Sequence, residues 1–343
     1  MKRTTILLMT LMLTIIQIAA QDATQKGTIT LSHQGKETAF RYNEMTKVMD
    51  AAVDGDTVFL SAGYFLGDFI MTKKLALIGV GADNDNNNNN CTTFDGKIVI
   101  KFPENTKLTA RLFDGINFTS NNNTRITFDS AIDNVIFRKC KWGRPGDFWK
   151  FQAEVKNLIV DRCNCYFWQN SSEKLTKLIV RNSNVSSCYI SSGNPNSRVF
   201  YNCNISSPNF GRNDYTFSQL RHTFINCIIY NGGYLGDPIQ NEYSSYLPIF
   251  INCLYYGNEK YDVTKNCTIQ NCYAYTSGEN SLESLSKEDL LKNNYLGNDG
   301  TVVGYYGGKN SYTLSMVSPI IKNTIHLDKD KKQIQFTLKI TEQ

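Results

Sequence analysis

The chain has 343 residues, of which 20% are charged, with a formal net charge of +5 and ten cysteines. No cluster of lysine and arginine accompanies this small charge, so the composition argues against a nucleic-acid-binding protein. The length exceeds that of most compact domains. A solenoid of this length can still be one domain, because each added repeat lengthens the core without widening it.

Residues 1–20 have the pattern of a secretory signal peptide. Two basic residues precede an apolar run from Ile6 to Ile18, and two alanines follow it. About 13 apolar residues are too few for a membrane span, which needs ~20. We therefore predict cleavage, no later transmembrane segment, and export to the periplasm, the cell surface or the medium. The first cysteine is Cys91, so a lipoprotein is not predicted.

Residues 21–55 are predicted to form an N-terminal cap. A short amphipathic helix is expected from Asn43 to Ala52, with Asn43 as its N-cap. Such a segment would cover the open end of a solenoid, which otherwise exposes unpaired backbone and apolar surface.

Two motifs follow this segment: GDTVFLSAGYF (Gly55 to Phe65) and LALIGVG (Leu75 to Gly81). Together they resemble the first coil of pectin-lyase-like right-handed parallel β-helix proteins, and the resemblance extends to about Ala274. It implies the fold more than any activity.

Residues 83–90, DNDNNNNN, are of low complexity. Their dense side-chain oxygens would permit calcium, but five identical asparagines supply neither charge nor a defined geometry. We interpret the segment as a loop between strands, and no cofactor is identified.

A repeat occupies residues 56–276. Eight positions align at intervals of 19 to 26 residues, and we call each a rung marker: Ile116, Cys140, Cys163, Ser183, Cys203, Cys227, Cys253 and Cys272. The residue three before the marker is always apolar, and the residue two after it nearly always is. Both columns are predicted to face the core.

The residue just before the marker is asparagine on five consecutive rungs: Asn182, Asn202, Asn226, Asn252 and Asn271. Side chains of a strand alternate with period two, so a marker and the residue three before it cannot share one face of an unbroken strand. A single residue in the left-handed region reverses the parity, and asparagine adopts that region at low cost. Each unit is predicted to be strand, one-residue bend, strand.

Leucine-rich repeats have a similar period and are the rival architecture. They require leucine five before the marker, where this chain has Arg198, His222 and Pro248, and a helix between strands, for which there is no pattern. The predicted fold is therefore all-β: one right-handed parallel β-helix of about ten coils, with a helix cap before it and a C-terminal cap after it.

Six of the ten cysteines are rung markers. Neighbouring rungs lie ~4.8 Å apart, which permits disulfides by distance, but parallel in-register side chains do not readily adopt the required ~90° dihedral. Stacked free thiols are preferred over bridges. No pairing is assigned to Cys91, Cys165, Cys188 or Cys267.

Residues 277–343 are predicted to form the C-terminal cap or tail. They contain a helix-like stretch from Ser284 to Asn293 and an alternating final strand from Ile334 to Ile340. Between them, DGTVVGYYGG (Asp299 to Gly308) is similar to the tails of exported β-helix proteins of Gram-negative bacteria. It lacks the Gly-Lys-Ser/Thr ending of a phosphate-binding loop and is interpreted as a turn-rich cap.

The first candidate site is an outward column of alternating charge, two residues before the markers: Asp114, Arg138, Asp161 and Arg181. The two aspartates would lie ~9.6 Å apart, near the carboxyl spacing of an inverting glycosidase. Because Arg138 lies between them, a structural ladder of surface ion pairs is the preferred interpretation.

The second candidate site is the segment Lys141 to Phe151, together with the next rung. Its predicted glycan-binding residues are Trp142, Arg144, Asp147, Trp149, Lys150 and Trp168. Sugars stack on tryptophan, although an aromatic column can equally pack in a core. Arg144 and Lys150 are weak catalytic candidates, because a lyase must neutralise a uronate carboxylate and abstract a proton.

The signatures of pectin-lyase-like hydrolases and pectate lyases are absent, among them Gly-His-Gly and Trp-x-Asp-His. His222 is expected to be exposed or capping rather than a base. The leading hypothesis is an exported protein that engages a complex polysaccharide, acidic or neutral, without recognisable catalytic machinery. The alternative is a polysaccharide lyase, or less favourably a glycoside hydrolase, with an atypical site. No metal site is predicted.

Overall fold

The computed structural model describes residues 26–82, 91–103, 110–119, 124–143, 148–169, 174–190, 198–206, 222–230, 249–256, 268–276, 281–309, 311–312, 320–328 and 333–341. Three stacked sheets of parallel strands form a β-solenoid in this part of the chain. Its levels are numbered here as rungs 1 to 10, and rungs 3 to 10 carry the eight markers in order.

The N-terminal end is closed by a hairpin and a helix. The hairpin strands are β1 (Thr28–His33) and β2 (Lys36–Arg41), and the helix is α1 (Met45–Ala51). Strand β1 pairs antiparallel with the first solenoid strand, and α1 buries Met45, Val48 and Met49. The predicted helix is present, but Glu44 occupies the N-cap position and Asn43 does not. The hairpin was not predicted.

Rungs 1 to 4 contain three strands each: β3 (Thr57–Leu60), β4 (Gly63–Leu66), β5 (Phe69–Met71), β6 (Ala76–Gly79), β7 (Thr92–Asp95), β8 (Lys97–Ile100), β9 (Ala110–Asp114), β10 (Ile116–Phe118), β11 (Arg125–Phe128), β12 (Ile132–Arg138), β13 (Lys141–Trp142) and β14 (Trp149–Phe151).

Rungs 5 to 10 contain two described strands each: β15 (Val155–Asp161), β16 (Asn164–Gln169), β17 (Leu175–Arg181), β18 (Asn184–Ile190), β19 (Arg198–Tyr201), β20 (Asn204–Ser206), β21 (His222–Ile225), β22 (Ile228–Tyr230), β23 (Ile249–Ile251), β24 (Leu254–Tyr256), β25 (Thr268–Gln270) and β26 (Tyr273–Tyr275).

The strands before the markers form sheet 1, in the order β2-β1-β3-β6-β9-β12-β15-β17-β19-β21-β23-β25. Those after the markers form sheet 2, in the order β4-β7-β10-β13-β16-β18-β20-β22-β24-β26, and β5-β8-β11-β14 form sheet 3. The predicted fold class, an all-β parallel β-helix, is confirmed. Counted as full turns the solenoid has about six, fewer than the ten or so coils predicted, although strands are described at ten levels.

The two apolar columns fill the interior as predicted. Three residues before the markers, phenylalanines of neighbouring rungs stack, with ring centroids 4.8 Å apart for Phe113 and Phe137 and 5.0 Å apart for Phe224 and Phe250. The buried Val160 and Val180 occupy the column on rungs 5 and 6. Two residues after the markers, side chains such as Ile205 are also fully buried. A continuous core therefore runs along the axis.

The predicted left-handed bends are confirmed. All five asparagines before the markers have positive φ, between 48° and 55°. The bend extends to earlier rungs through Gly115, Lys139 and Arg162, with φ of 65°, 51° and 54°. On rungs 3 to 9 each bend N–H donates to a carbonyl of the next rung, as from Asn202 to Ile225 at 3.0 Å. Reversal of parity therefore leaves no break in the backbone hydrogen bonding of these rungs.

The marker cysteines are free thiols, as preferred from the sequence. Each buried sulfur is held by backbone: Cys253 Sγ donates to the carbonyls of Phe224 and Ile251 at 3.4 Å and accepts from the N–H of Cys227. Burial raises the pKa of the Cys227 and Cys253 thiols. Cys91 and Cys165 are also free and buried, whereas the side chain of Cys188 and all of Cys267 lie outside the described residues.

The C-terminal segment packs against the outer face of sheet 2. Helix α2 (Lys287–Lys292) begins with a capping box between Ser286 and Asp289. Leu290 and Val303 form a second apolar cluster with outward residues of rungs 8 and 9, including Ile228 and Leu254. The last strands form an antiparallel hairpin, β27 (Ile320–Asp328) and β28 (Gln333–Thr341). The final strand was predicted, and its partner β27 was not.

Residues 297–308, which we call the strap, lie along the bends of rungs 6 to 8. Asn226 Nδ2 donates to Asn298 Oδ1 at 3.0 Å, and Asn182 Nδ2 donates to the carbonyl of Gly307 at 2.8 Å. Gly304 has φ of 82°, and a Cβ there would lie 2.4 Å from Asn204 Oδ1. The glycines of this segment therefore permit close approach to the solenoid. Among the described residues, no helix is long and apolar enough to span a membrane.

We predict that Asn252→Val destabilises the protein by about 1–3 kcal/mol, because a β-branched residue resists the left-handed region. Asn252→Gly should be better tolerated, since Gly115 occupies the same bend on rung 3. The control Gln270→Val changes an exposed strand residue of rung 10 and should shift stability by less than about 0.5 kcal/mol. Urea unfolding measures all three, and equal midpoints for the two valine variants would contradict the bend.

Candidate functional site

The alternating charge column forms ion pairs between rungs. Arg138 Nε lies 2.9 Å from Asp114 Oδ2, and Arg181 Nε lies 3.1 Å from Asp161 Oδ1. The carboxylates are covered by the arginine side chains: Asp161 is 3% exposed, whereas the Arg181 side chain is 49% exposed. The arrangement agrees with the structural interpretation, because each aspartate is occupied by a guanidinium rather than presented as half of an acid pair.

The bends add cations to this column. Arg162, at the bend of rung 5, lies 3.2 Å from Asp161 Oδ2. Lys139 is at the bend of rung 4, and Lys141 begins the strand after the same marker, in register with Asn164 of rung 5. All three are half-buried. The bend therefore brings charges from either side of the markers to one edge of the solenoid.

We call this edge the cationic ridge, and it consists of five residues on rungs 4 to 6: Arg138, Lys139, Lys141, Arg162 and Arg181. The two carboxylates that it contacts, Asp114 and Asp161, are buried. Among the described residues of this edge, the five cations outnumber the two buried anions. The sequence contained a signal for this ridge, because Lys139 and Arg162 occupy the bend column. The predicted charge column lies two residues before the markers and includes neither of them.

The prediction that Trp142 and Trp149 contact a glycan is wrong, because both indoles lie in the core. They are 2% and 4% exposed. Trp142 is stacked on Phe148 with centroids 5.1 Å apart, and its Nε1 donates to the carbonyl of Tyr166 at 3.0 Å. Strand parity explains this, because Trp142 is two residues after a marker, in an inward column.

Of the other residues predicted for this site, only Lys150 has a described side chain. Lys150 is exposed and lies beside Thr127 of the preceding rung. Arg144 and Asp147 lie outside the described residues, as does the side chain of Trp168, whose backbone belongs to β16. The pairing of Arg144 with Lys150 in a lyase stays a prediction.

His222 is buried, contrary to the expectation of an exposed or capping residue. It pairs in register with Arg198, and both side chains face the interior, five residues before their markers. Burial, and secondarily the charge of Arg198, lower the pKa of His222 to about 3. The imidazole is therefore neutral at physiological pH. Within the described ranges, no cluster of histidine, cysteine, aspartate or glutamate is arranged to hold a metal ion.

Comparison of the chain with protein-family models gives no match, and neither does comparison with curated proteins.

We predict that Trp149→Ala acts on stability rather than on a surface. Removing a buried indole should cost about 3–5 kcal/mol. The neighbouring Lys150→Ala, at an exposed position, should change the free energy of unfolding by less than about 0.5 kcal/mol. Denaturant unfolding compares the two variants, and a Trp149→Ala protein as stable as Lys150→Ala would contradict the burial of the indole.

Proposed function

We propose that this protein is an exported β-helix protein of the pectin-lyase-like class that binds an acidic polysaccharide along the cationic ridge. The observation that carries the proposal is the arrangement of five cations on rungs 4 to 6 above two buried carboxylates. Export rests on the signal-like residues 1–20, and the class rests on the motifs of the first coil.

The buried carboxylates support binding because they orient the arginines. A guanidinium has five donors, and the contact with Asp161 uses the Nε edge of Arg181. Donors remaining on such a group can pair with a carboxylate or sulfate of a ligand, and charge-assisted bonds of this kind are about twice as strong as neutral ones. Fixed side chains also lose less entropy when the ligand binds.

The surroundings of the ridge suit a sugar. Tyr201 follows Arg181 in the same column and is 40% exposed, so it offers an aromatic ring beside a cation. On the other side of the bend, Asn164 and Asn184 are adjacent in register on sheet 2 and half-buried. Amides hydrogen-bond readily with hydroxyl groups. The edge therefore combines charge, an aromatic face and neutral donors.

The decisive experiment replaces two lysines of the cationic ridge with asparagine, the residue that other rungs carry at the equivalent positions. Lys139→Asn places asparagine where five later rungs carry it, and Lys141→Asn matches Asn164 in the same column. We expect the double variant to bind polygalacturonate or alginate about tenfold more weakly, or about 1.4 kcal/mol. Wild-type binding should itself weaken with added salt, because exposed charges are screened beyond ~8–10 Å. Affinity electrophoresis or calorimetry measures both effects.

The matched control is Lys97→Asn with Lys287→Asn, which removes the same charge from exposed positions away from the ridge. It should bind as wild type does. Equal losses in both double variants would indicate nonspecific attraction, and no binding of wild type to any acidic glycan would contradict the proposal. Unsaturated uronates or new reducing ends in the mixtures would instead support the lyase or hydrolase alternative.

A further inference from the structure

The outer face of sheet 1 carries an aliphatic column beside the cationic ridge. Five residues, each four before its marker, pair in register from rung 3 to rung 7, and we call them the aliphatic ladder: Leu112, Ile136, Ile159, Ile179 and Val199. All five are half-buried. The residues three and five before the markers face the core, so the alternation of side chains along a strand points the ladder outward.

Sheet 2 provides a comparison for outward aliphatic residues. Its outward column directly after the markers is polar on rungs 3 to 6: Asn117, Lys141, Asn164 and Asn184. On rungs 8 and 9 this column changes to Ile228 and Leu254, and both are at most 1% exposed because the C-terminal segment packs on them. On sheet 2 the chain itself therefore covers these outward aliphatic residues.

The described residues do not cover the aliphatic ladder in this way. None of its five members belongs to either apolar cluster of the described part of the chain. The ladder extends over four rung spacings, or ~19 Å, and its column changes to Thr223 on rung 8 and Thr268 on rung 10. A contiguous apolar strip rimmed by polar residues is typical of a binding surface, whereas single exposed aliphatic residues are ordinary.

Two arginines of the cationic ridge lie beside the ladder. Arg138 and Arg181 come two residues after Ile136 and Ile179 on the same strands, so the charged and aliphatic columns run in parallel about 7 Å apart. The arginine side chains are 35% and 49% exposed. Both columns recur along the solenoid axis. A polymer that repeats an anion and a small apolar group therefore matches them better than a molecule with one of each.

We infer that the ligand of the cationic ridge is an acidic polysaccharide bearing O-acyl groups, such as acetyl esters. Its carboxylates pair with the ridge, and its acyl groups lie on the aliphatic ladder. Contact with the ladder removes the acyl groups from water, so acylation strengthens binding without changing the charge of the polymer. The inference rests on the proposed function, because it names the substituent that is recognised at the same site.

The test compares two forms of one polymer: alginate acetylated chemically on its hydroxyl groups, and the same preparation after mild saponification. Both forms carry the same carboxylates. By calorimetry, the wild-type protein should bind the acetylated form at least fivefold more tightly. Ile159→Thr with Ile179→Thr places in the ladder the residue that rungs 8 and 10 carry, and should reduce this preference to less than twofold. Affinity for the saponified form should stay unchanged, which also shows that the variant is folded.

Three further variants complete the comparison. Lys139→Asn with Lys141→Asn should weaken binding to both forms and keep the ratio of their affinities. Ile70→Thr, at an exposed aliphatic position of β5 on rung 1, should change neither affinity. The single substitution Ile136→Thr, on rung 4, repeats the test with a smaller change to the surface and should at least halve the preference for the acetylated form.

Equal wild-type affinity for the two forms, or an unchanged preference in the ladder variants, would overturn the inference and leave the proposed function intact. No wild-type binding to either form would contradict the proposed function, and the inference with it. A wild-type dimer that sediments as a monomer after Ile159→Thr and Ile179→Thr would overturn the inference in favour of a second copy on the ladder. Binding to phosphatidylglycerol vesicles that the same substitutions abolish, without any preference for acetyl groups, would overturn it in favour of a membrane surface.

Discussion

The structure depends on one left-handed residue in each rung. At this bend the chain passes from sheet 1 to sheet 2 and reverses side-chain parity, so that residues three before and two after the marker both face inward. The bend N–H donates to the next rung, from Asn226 to Ile251 as from Lys139 to Asp161, each at 3.0 Å. A turn that would otherwise interrupt the sheet is thus part of the rung-to-rung hydrogen bonding.

The marker side chain completes the bend. A thiol or hydroxyl at this position donates to the carbonyl two residues before it, as Ser183 does to Arg181 at 2.8 Å and Cys203 does to Tyr201 at 3.1 Å. Serine and cysteine are therefore interchangeable in the column, and the thiols are used for size and hydrogen bonding rather than reactivity. The burial and raised pKa of the Cys227 and Cys253 thiols agree with this role.

The bend also links fold and proposed function. On rungs 6 to 8 the bend residue is asparagine and the strap packs on it. The side-chain amides of Asn182 and Asn226 donate hydrogen bonds to the strap. Where the bend residue is Lys139 or Arg162, on rungs 4 and 5, the same position carries charge at the edge of the solenoid. One backbone conformation therefore supports two surfaces, one occupied by the chain itself and one proposed to bind an acidic glycan.

The sequence predicted the repeat, the bend and the free thiols, because each leaves a periodic signal in the chain. It did not predict the direction of Trp149, which belongs to sheet 3 and has no fixed spacing from a marker. The packing of Leu290 and Val303 on the outside of sheet 2 was also missed. It is a contact between distant segments, and outward apolar residues such as Ile228 look like part of the core in a linear pattern. His222 is polar, which predicts exposure, but its side chain belongs to an inward column and is buried.

The most direct test of this account is amide hydrogen exchange of the native protein, resolved to single residues at the bends. The N–H groups of Lys139, Arg162, Asn202 and Asn226 should be protected as strongly as those of the flanking strands, because they are bonded to the next rung. Exchange at these residues as fast as in exposed loops would show that the bends are ordinary turns, and would contradict the central claim.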